Sequence, residues 1–171
     1  MRDDVTVEPL SSETEDYIKD LIRRNLAGYE EAGSVLAATF RRLTNLLRVY
    51  SGEGAKCFVL RDTKTKKCIG FAGLGPLHGL SPSEGLGEVR DLVIEESHRG
   101  RGYGSFILQN CIDAARQLGY RRLYLETTPQ MEKAQKLFVS FGFRPVTQAQ
   151  ANDSTPKQQG GVPGYFILEN L

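Results

Sequence analysis

The sequence feature that most constrains the fold is a glycine-rich turn between an apolar run and an amphipathic segment, within positions 87–119. The run before the turn contains Val89, Leu92, Val93 and Ile94, which is typical of a mostly buried strand. The turn itself reads RGRGYG at positions 99–104. Apolar residues then recur at helical spacing, at Ile107, Leu108, Cys111, Ile112, Ala115 and Leu118. The pattern therefore predicts a strand, a tight turn and a helix in immediate succession.

A turn of this kind favours an anionic ligand. Its glycines let backbone N–H groups approach the ligand closely, and the start of a helix adds further donors and the positive end of the helix dipole. The guanidinium groups of Arg99 and Arg101 can form bidentate hydrogen bonds with phosphate oxygens. A pyrophosphate is therefore the expected ligand. A Walker loop is excluded because no Lys-Ser or Lys-Thr follows the glycines, and the spacing GxGxG differs from the dinucleotide fingerprint GxGxxG.

The turn resembles the acetyl-CoA loop of the GNAT superfamily of N-acetyltransferases, whose pattern Arg/Gln-x-x-Gly-x-Gly/Ala is matched at positions 99–104 without a gap. Residues 134–143, AQKLFVSFGF, resemble the family segment A-x-x-L-Y-x-x-x-G-F. The resemblance covers nearly the whole chain and implies acetyl-CoA as co-substrate. It implies pantetheine contacts for Leu92, Val93 and Ile94. It implies pyrophosphate contacts for Arg99, Gly100, Arg101, Gly102, Tyr103, Gly104 and Ser105.

Hydrophobic periodicity elsewhere predicts an α/β (α+β) protein with the order β-α-α-β-β-β-α-β-α-β-β. This order corresponds to a mixed central sheet of about seven strands flanked by about four helices, which is the fold that the GNAT resemblance implies. The first helix is expected to begin with a capping box of Ser12 and Glu15, and a single second helix is expected from Ser34 to Tyr50. Residues 147–161 are expected to form a long flexible connection. Because no repeat or interdomain linker is present, residues 1–171 are expected to form one domain.

Composition excludes several classes of function. The formal net charge is +1, which gives no bulk signal for nucleic-acid or membrane binding. No apolar run approaches the roughly 18–20 residues of a membrane span, and the N-terminus lacks a signal-peptide pattern, so a cytoplasmic protein is expected. The three cysteines and two histidines do not have metal-ligand spacing, so no metal is expected. The family resemblance makes a homodimer possible.

Acetyl transfer to an amine calls for a general base, because a lysine-like amine with a pKa of roughly 10 is protonated at neutral pH. Glu88 is the candidate, because it lies fourteen positions before Gly102, as the catalytic glutamate does in the histone-acetyltransferase branch of the superfamily. The competing interpretation is a strand-start carboxylate paired with Arg90 or solvent. Asp91 is the alternative base, although a regular strand places it on the face opposite to Glu88.

The general acid is where the chain departs from the family, because Phe138 occupies the position at which many members have a tyrosine. Three alternatives remain for the proton that the departing thiolate takes up. It comes from a water or from another tyrosine (Tyr103, Tyr124 or Tyr165), or no general acid is needed. The leading function is therefore an N-acetyltransferase acting on an amine of a small molecule or protein. The alternative is a non-catalytic acetyl-CoA-binding sensor or regulatory module. Candidate acceptor contacts, each with an ordinary loop role as the competing interpretation, are Tyr29, Glu30, Glu31 and His78.

Overall fold

The computed structural model describes residues 2–27, 33–77, 80–146 and 164–171. The candidate acceptor contacts Tyr29, Glu30, Glu31 and His78 lie outside these ranges, as does the connection predicted for residues 147–161.

Seven strands form one mixed sheet, which confirms the predicted fold class. They are β1 (Val5–Glu8), β2 (Lys56–Asp62), β3 (Cys68–Pro76), β4 (Leu86–Ile94), β5 (Arg122–Thr127), β6 (Arg144–Val146) and β7 (Gly164–Glu169). Their order across the sheet is β1-β2-β3-β4-β5-β7-β6. The pair of β4 and β5 is parallel, and the other neighbours are antiparallel.

Five α-helices occur in the described residues, one more than the sequence pattern predicts. They are α1 (Glu15–Leu26), α2 (Gly33–Leu43), α3 (Leu46–Tyr50), α4 (Tyr103–Gln117) and α5 (Glu132–Ser140). The extra helix arises because the expected second helix breaks at Asn45, whose side chain accepts a 3.0 Å hydrogen bond from the backbone N–H of Arg48 and so caps α3. None of the helices in these ranges is long and apolar enough to cross a membrane.

The predicted capping box at the start of α1 is wrong. Thr14 precedes the helix, and its side-chain oxygen accepts a hydrogen bond from the backbone N–H of Ser11 at 3.1 Å. The carboxylate of Glu15 instead accepts from the backbone N–H of Leu47 at 3.3 Å and pairs with Lys19 at 3.0 Å. Glu15 therefore ties α1 to α3, a long-range contact that competes with the local cap.

The core lies on both faces of the sheet. On one face, α4 buries residues such as Ile107, Leu108 and Cys111 against the strands. On the other face, α1 and α3 bury a second group that includes Ile18, Leu21 and Leu46. These helices hold the middle strands β3 and β4 from both sides, so the sheet forms a rigid base for the site described below.

A bulge in β4 changes which way its side chains point. The pairing of β3 with β4 shifts between Phe71 and Gly73, and Asp91 has a φ of +53°. Regular alternation predicts Asp91 on the face opposite to Glu88. Because of the bulge, the side chain of Asp91 instead points toward Tyr50 in α3. Tyr50 packs on the face of the sheet that Arg90 and Glu88 share, so all three side chains of β4 lie on one face. The expected separation of the two carboxylates is therefore wrong.

Candidate active site

Strands β4 and β5 separate within the sheet. Their pairing runs from Leu86 opposite Arg122 to Val89 opposite Leu125, and no later pair joins them. Beyond this point β4 continues beside β3 as far as Ile94, and β5 continues beside β7 as far as Thr127. The sheet therefore opens into a cleft, which we call the β4–β5 cleft. Its β4 edge, which includes Leu92, Val93 and Ile94, presents backbone groups without a strand partner in the described chain.

A short 3-10 helix, Glu96–His98, connects this edge to the glycine-rich turn. Gly100 and Gly102 have φ values of +76° and +79°, a left-handed conformation that favours glycine. Gly102 immediately precedes α4, and the N–H of Phe106 bonds to its carbonyl at 3.0 Å. The N–H groups of Tyr103, Gly104 and Ser105 are therefore those of the first helical turn, which lack partners within the helix. The turn can bind an anion through these donors.

The two arginines of the turn differ in their contacts. The guanidinium of Arg99 donates to the carbonyl of Ile94 at 3.2 Å and to the side-chain oxygen of Asn25 in α1 at 2.5 Å. Arg99 therefore links the turn to α1 and to the end of β4. The side chain of Arg101 is exposed, and its carbonyl accepts a 2.8 Å hydrogen bond from Arg2.

Tyr103 is held by a segment that lies far from it in the sequence. Its hydroxyl donates to the carboxylate of Asp4 at 2.8 Å, and the guanidinium of Arg2 lies 4.5 Å from the centre of its ring. Hydrogen bonds from Arg2 and then Tyr103 lower the pKa of Asp4 to about 2. The hydroxyl of Tyr103 is therefore committed to Asp4.

Glu88 lies beside the point where the cleft opens. It pairs with Tyr124, one position before Val89 and Leu125, where the pairing of β4 with β5 ends. Its carboxylate accepts a 2.6 Å hydrogen bond from Arg90, whose guanidinium also donates to the carbonyl of Pro76. The side chain of Glu88 is only 14% exposed. The ion pair expected under the competing interpretation is therefore present, at a position that also borders the cleft.

Asp91 is saturated with hydrogen bonds. Its two oxygens accept from Arg42 at 2.7 and 2.8 Å, from Tyr50 at 2.7 Å and from Thr39 at 3.2 Å. Burial by itself raises the pKa of Asp91, but the nearby charge and hydrogen bonds of Arg42, with the bond from Tyr50, lower it below its ordinary value. Asp91 is therefore a poor general base. No local pattern in the sequence signals this cluster.

Two further tyrosines meet on the same face of the sheet as Glu88. The rings of Tyr124 and Tyr165 stack with their centres 6.0 Å apart. Phe138, by contrast, packs its ring against Phe143 and Phe166 in the core beneath α4 and α5. Phe138 is therefore a core residue, and the sequence gives no local sign of the tyrosine pair.

Comparison with known proteins agrees with this geometry. The model of the acetyltransferase (GNAT) family matches residues 18–143. The chain is 39% identical over 76 residues to the uncharacterized N-acetyltransferase YsnE of Bacillus subtilis, an alignment that covers 43% of this chain and 49% of that protein. It is 30% identical over 107 residues to the uncharacterized N-acetyltransferase YjgM of Escherichia coli, covering 63% of this chain and 62% of that protein. The match thus spans about half to three fifths of the length of these curated relatives.

A similar solved structure is that of yncA from Salmonella typhimurium with its cofactor acetyl-CoA, at a TM-score of 0.71 and 18% identity over 98% of this chain and 94% of that one. At this level of identity the similarity establishes the fold alone. The family match extends from α1 to the residue just before β6 and includes both the cleft and the glycine-rich turn. The chain therefore belongs to the acetyltransferase (GNAT) family.

Proposed function

We propose that this protein is an N-acetyltransferase that moves the acetyl group from acetyl-CoA to a primary amine of a small molecule or protein. The observation that carries the proposal is the β4–β5 cleft, because Glu88 borders its closed end and the glycine-rich turn follows its β4 edge. The likeness to a fold solved with acetyl-CoA supports the choice of donor. We propose direct attack of the amine in a ternary complex, with Glu88 as general base.

The residues of the cleft fit acetyl-CoA in two parts. We assign the backbone of Leu92, Val93 and Ile94 to the pantetheine arm, because an open strand edge offers hydrogen bonds to an extended amide-containing chain. We assign the turn to the pyrophosphate, because its first-turn N–H groups and the exposed Arg101 favour negative charge. The contacts of Arg99 with Ile94 and Asn25 indicate that it also holds the turn in place.

The chemistry assigned to the chain is proton transfer and charge stabilisation. Glu88 accepts a proton from the acceptor amine, and its bond to Arg90 holds the carboxylate in position at the cleft. A backbone N–H of the β4 edge stabilises the negative charge that develops on the thioester oxygen. The C–N bond forms as the C–S bond breaks, and the thiolate leaves. No tyrosine on α5 can supply a proton to it, because Phe138 occupies that position.

That substitution is the observation that favours a second candidate, an acetyl-CoA-binding sensor without turnover. Titration calorimetry with acetyl-CoA, followed by a panel of amines read out as free thiol, tests both candidates. Binding with thiol release supports the enzyme. Binding without release from any amine supports the sensor, and absence of binding contradicts both. The cytoplasmic location and the homodimer stay predictions, and light scattering during gel filtration measures the latter.

A further inference from the structure

Two charged residues ahead of β1 contact the back of the glycine-rich turn. The guanidinium of Arg2 donates a 2.8 Å hydrogen bond to the carbonyl of Arg101. It also bonds to both carboxylate oxygens of Asp4 at 3.0 Å, and Asp4 in turn accepts from the hydroxyl of Tyr103 at 2.8 Å. We call this pair the Arg2–Asp4 clasp. Its contacts reach the two residues on either side of Gly102.

The clasp is itself fastened to the sheet. The backbone carbonyl of Asp4 accepts a 3.0 Å hydrogen bond from the N–H of Thr63, and the hydroxyl of Thr63 donates to the carbonyl of Asp3 at 3.0 Å. Thr63 lies directly after β2, and β1 begins at Val5. The clasp therefore connects the turn to the β1–β2 side of the sheet, in addition to the covalent connection from β4.

The bond to the carbonyl of Arg101 fixes the direction of the next N–H group. In a trans peptide the C=O and the N–H of the following residue point in opposite directions. Because this carbonyl points toward Arg2, the N–H of Gly102 points away from the clasp. Within the described chain that N–H has no hydrogen-bond partner. It is therefore available to an anion, together with the N–H groups of the first turn of α4.

This peptide needs an outside contact to hold its orientation. Gly102 has no side chain and a φ of +79°, so the backbone around it has more freedom than at other residues. The guanidinium lies close behind it, because a Cβ on Gly102 would be 3.1 Å from Nη1 of Arg2. The same guanidinium lies 4.5 Å from the centre of the ring of Tyr103, at the start of α4. A turn ordered before binding loses less conformational entropy when the ligand binds.

We infer that the Arg2–Asp4 clasp pre-organises the glycine-rich turn for the pyrophosphate of acetyl-CoA, so that Arg2 and Asp4 are positioning residues for the donor. The inference rests on the proposed function and extends its donor site beyond the turn. Both residues lie outside the part of the chain that matches the family, which begins at residue 18. They act through the backbone N–H groups of Gly102 and Tyr103.

Calorimetric titration with acetyl-CoA compares the wild type with Arg2→Ala and Asp4→Ala. Each variant should bind acetyl-CoA about tenfold more weakly, because it removes charge-assisted hydrogen bonds that order the turn. Asp4→Ala is the more decisive variant, since it also removes a negative charge near the proposed anion site. Charge attraction alone would make this variant bind more tightly. Unchanged or tighter binding by Asp4→Ala overturns the inference.

A second probe, S-acetylpantetheine, lacks the pyrophosphate and so does not use the turn. Both variants should bind it as the wild type does. If they lose affinity for S-acetylpantetheine as much as for acetyl-CoA, the disturbance extends beyond the turn and the inference is overturned. The midpoint of thermal unfolding should stay close to that of the wild type, because the ion pair of Arg2 with Asp4 is exposed.

Two matched controls change the same charges elsewhere. Asp113→Ala removes an exposed ion pair with Arg116 near the other end of α4, and Arg144→Ala removes one with Glu169 at the opposite edge of the sheet. Both should bind acetyl-CoA as the wild type does. A loss of affinity in these controls equal to that of the clasp variants would reflect net charge alone and would overturn the inference.

A double variant tests whether the two residues act together. Arg2→Ala combined with Asp4→Ala should bind acetyl-CoA no more weakly than the weaker single variant, because each change already opens the clasp. Two effects that add in full would mean that the residues act separately, which contradicts the clasp.

Failure of the proposed function is distinguishable from failure of this inference. If no amine releases thiol, the calorimetric comparison still decides the inference, because it needs only acetyl-CoA binding. If the wild type does not bind acetyl-CoA, both are overturned. If acetyl-CoA binds the wild type and Asp4→Ala equally well, the inference alone is overturned.

Discussion

The hydroxyl of Tyr50 donates a 2.7 Å hydrogen bond to the carboxylate of Asp91, and so joins the end of α3 to the bulge in β4. The other oxygen contacts of Asp91 come from Arg42 and Thr39 in α2. One fully buried carboxylate therefore fastens two helices to the strand that carries Glu88. The bulge that turns Asp91 toward these helices is thus a structural feature of the site, even though Asp91 is not placed to act as the base.

Replacing Asp91 by asparagine should destabilise the protein by about 3–5 kcal/mol, because the partly buried guanidinium of Arg42 loses its fully buried counter-charge. Urea denaturation at pH 7 measures the free energy of unfolding. Asp113→Asn is the matched control, since the ion pair of Asp113 with Arg116 is about half exposed and its loss should cost less than about 1 kcal/mol. Equal effects of the two variants would contradict a buried, stabilising role for Asp91.

The same carboxylate predicts a dependence of stability on pH. The folded pKa of Asp91 lies below its unfolded value of about 3.9, so its contribution is fully present above that value. The contribution is lost as the pH falls through the lower folded pKa. The difference in unfolding free energy between wild type and Asp91→Asn should therefore be constant from pH 7 to pH 5 and shrink below about pH 4. Urea titrations across this range measure it, and a difference that already shrinks between pH 7 and pH 5 would rule out a depressed pKa.

Glu88→Gln should lower kcat for the best amine of the panel about 10²–10⁴-fold, because glutamine cannot accept the amine proton. The affinity for acetyl-CoA should stay within about twofold, since the proposed donor contacts lie on the β4 edge and the turn. Steady-state kinetics and calorimetry measure the two quantities. Glu53→Gln makes the same change of charge at an exposed loop position and should leave both unaltered. A Glu88→Gln variant with wild-type kcat would assign the proton transfer to another group.

Gly102→Asp should abolish acetyl-CoA binding. The substitution places a side chain at a φ of +79° and a negative charge at the start of α4, where the pyrophosphate is proposed to bind. Gly119→Asp is the matched control, because Gly119 has a φ of +81° and an added Cβ there has no neighbour within 4 Å. Calorimetry should therefore show loss of binding in the first variant and retention in the second. Retained affinity in Gly102→Asp would exclude the turn as the anion site.

Gly73→Ala should destabilise the protein by about 1–3 kcal/mol, because a Cβ at this position would lie 2.1 Å from a ring carbon of Tyr50. The tyrosine has to shift, which also weakens its bond to Asp91. Thermal or urea denaturation measures the change. At Gly52 the nearest atom to an added Cβ is 3.7 Å away, so Gly52→Ala should be close to neutral. A neutral Gly73→Ala would show that Tyr50 is not held against β3.

Several predictions from the sequence depend on interactions that reach only a few residues along the chain, and these are confirmed. The strand β4, the glycine-rich turn and the helix α4 all follow from local periodicity and the position of the glycines. The seven-strand mixed sheet follows from the same kind of pattern, repeated along the chain. Local capping was less predictable, because the carboxylate of Glu15 bonds to α3 in place of the expected cap.

The contacts of individual site residues depend on long-range pairing. Asp91 meets Arg42 and Tyr50 from 49 and 41 positions away, after a bulge that has no marker in the sequence. Arg99, which was expected only to contact the pyrophosphate, also bonds to Asn25, which lies 74 positions away in the sequence.

By itself, the sequence determined the family, the order of elements and the turn at which an anion is expected, because propensity and glycine conformation act locally. Tertiary structure decided where β4 and β5 separate, which face Asp91 occupies and which tyrosines lie beside Glu88. These features depend on the register between strands, and the register is set by packing both faces of the sheet at once.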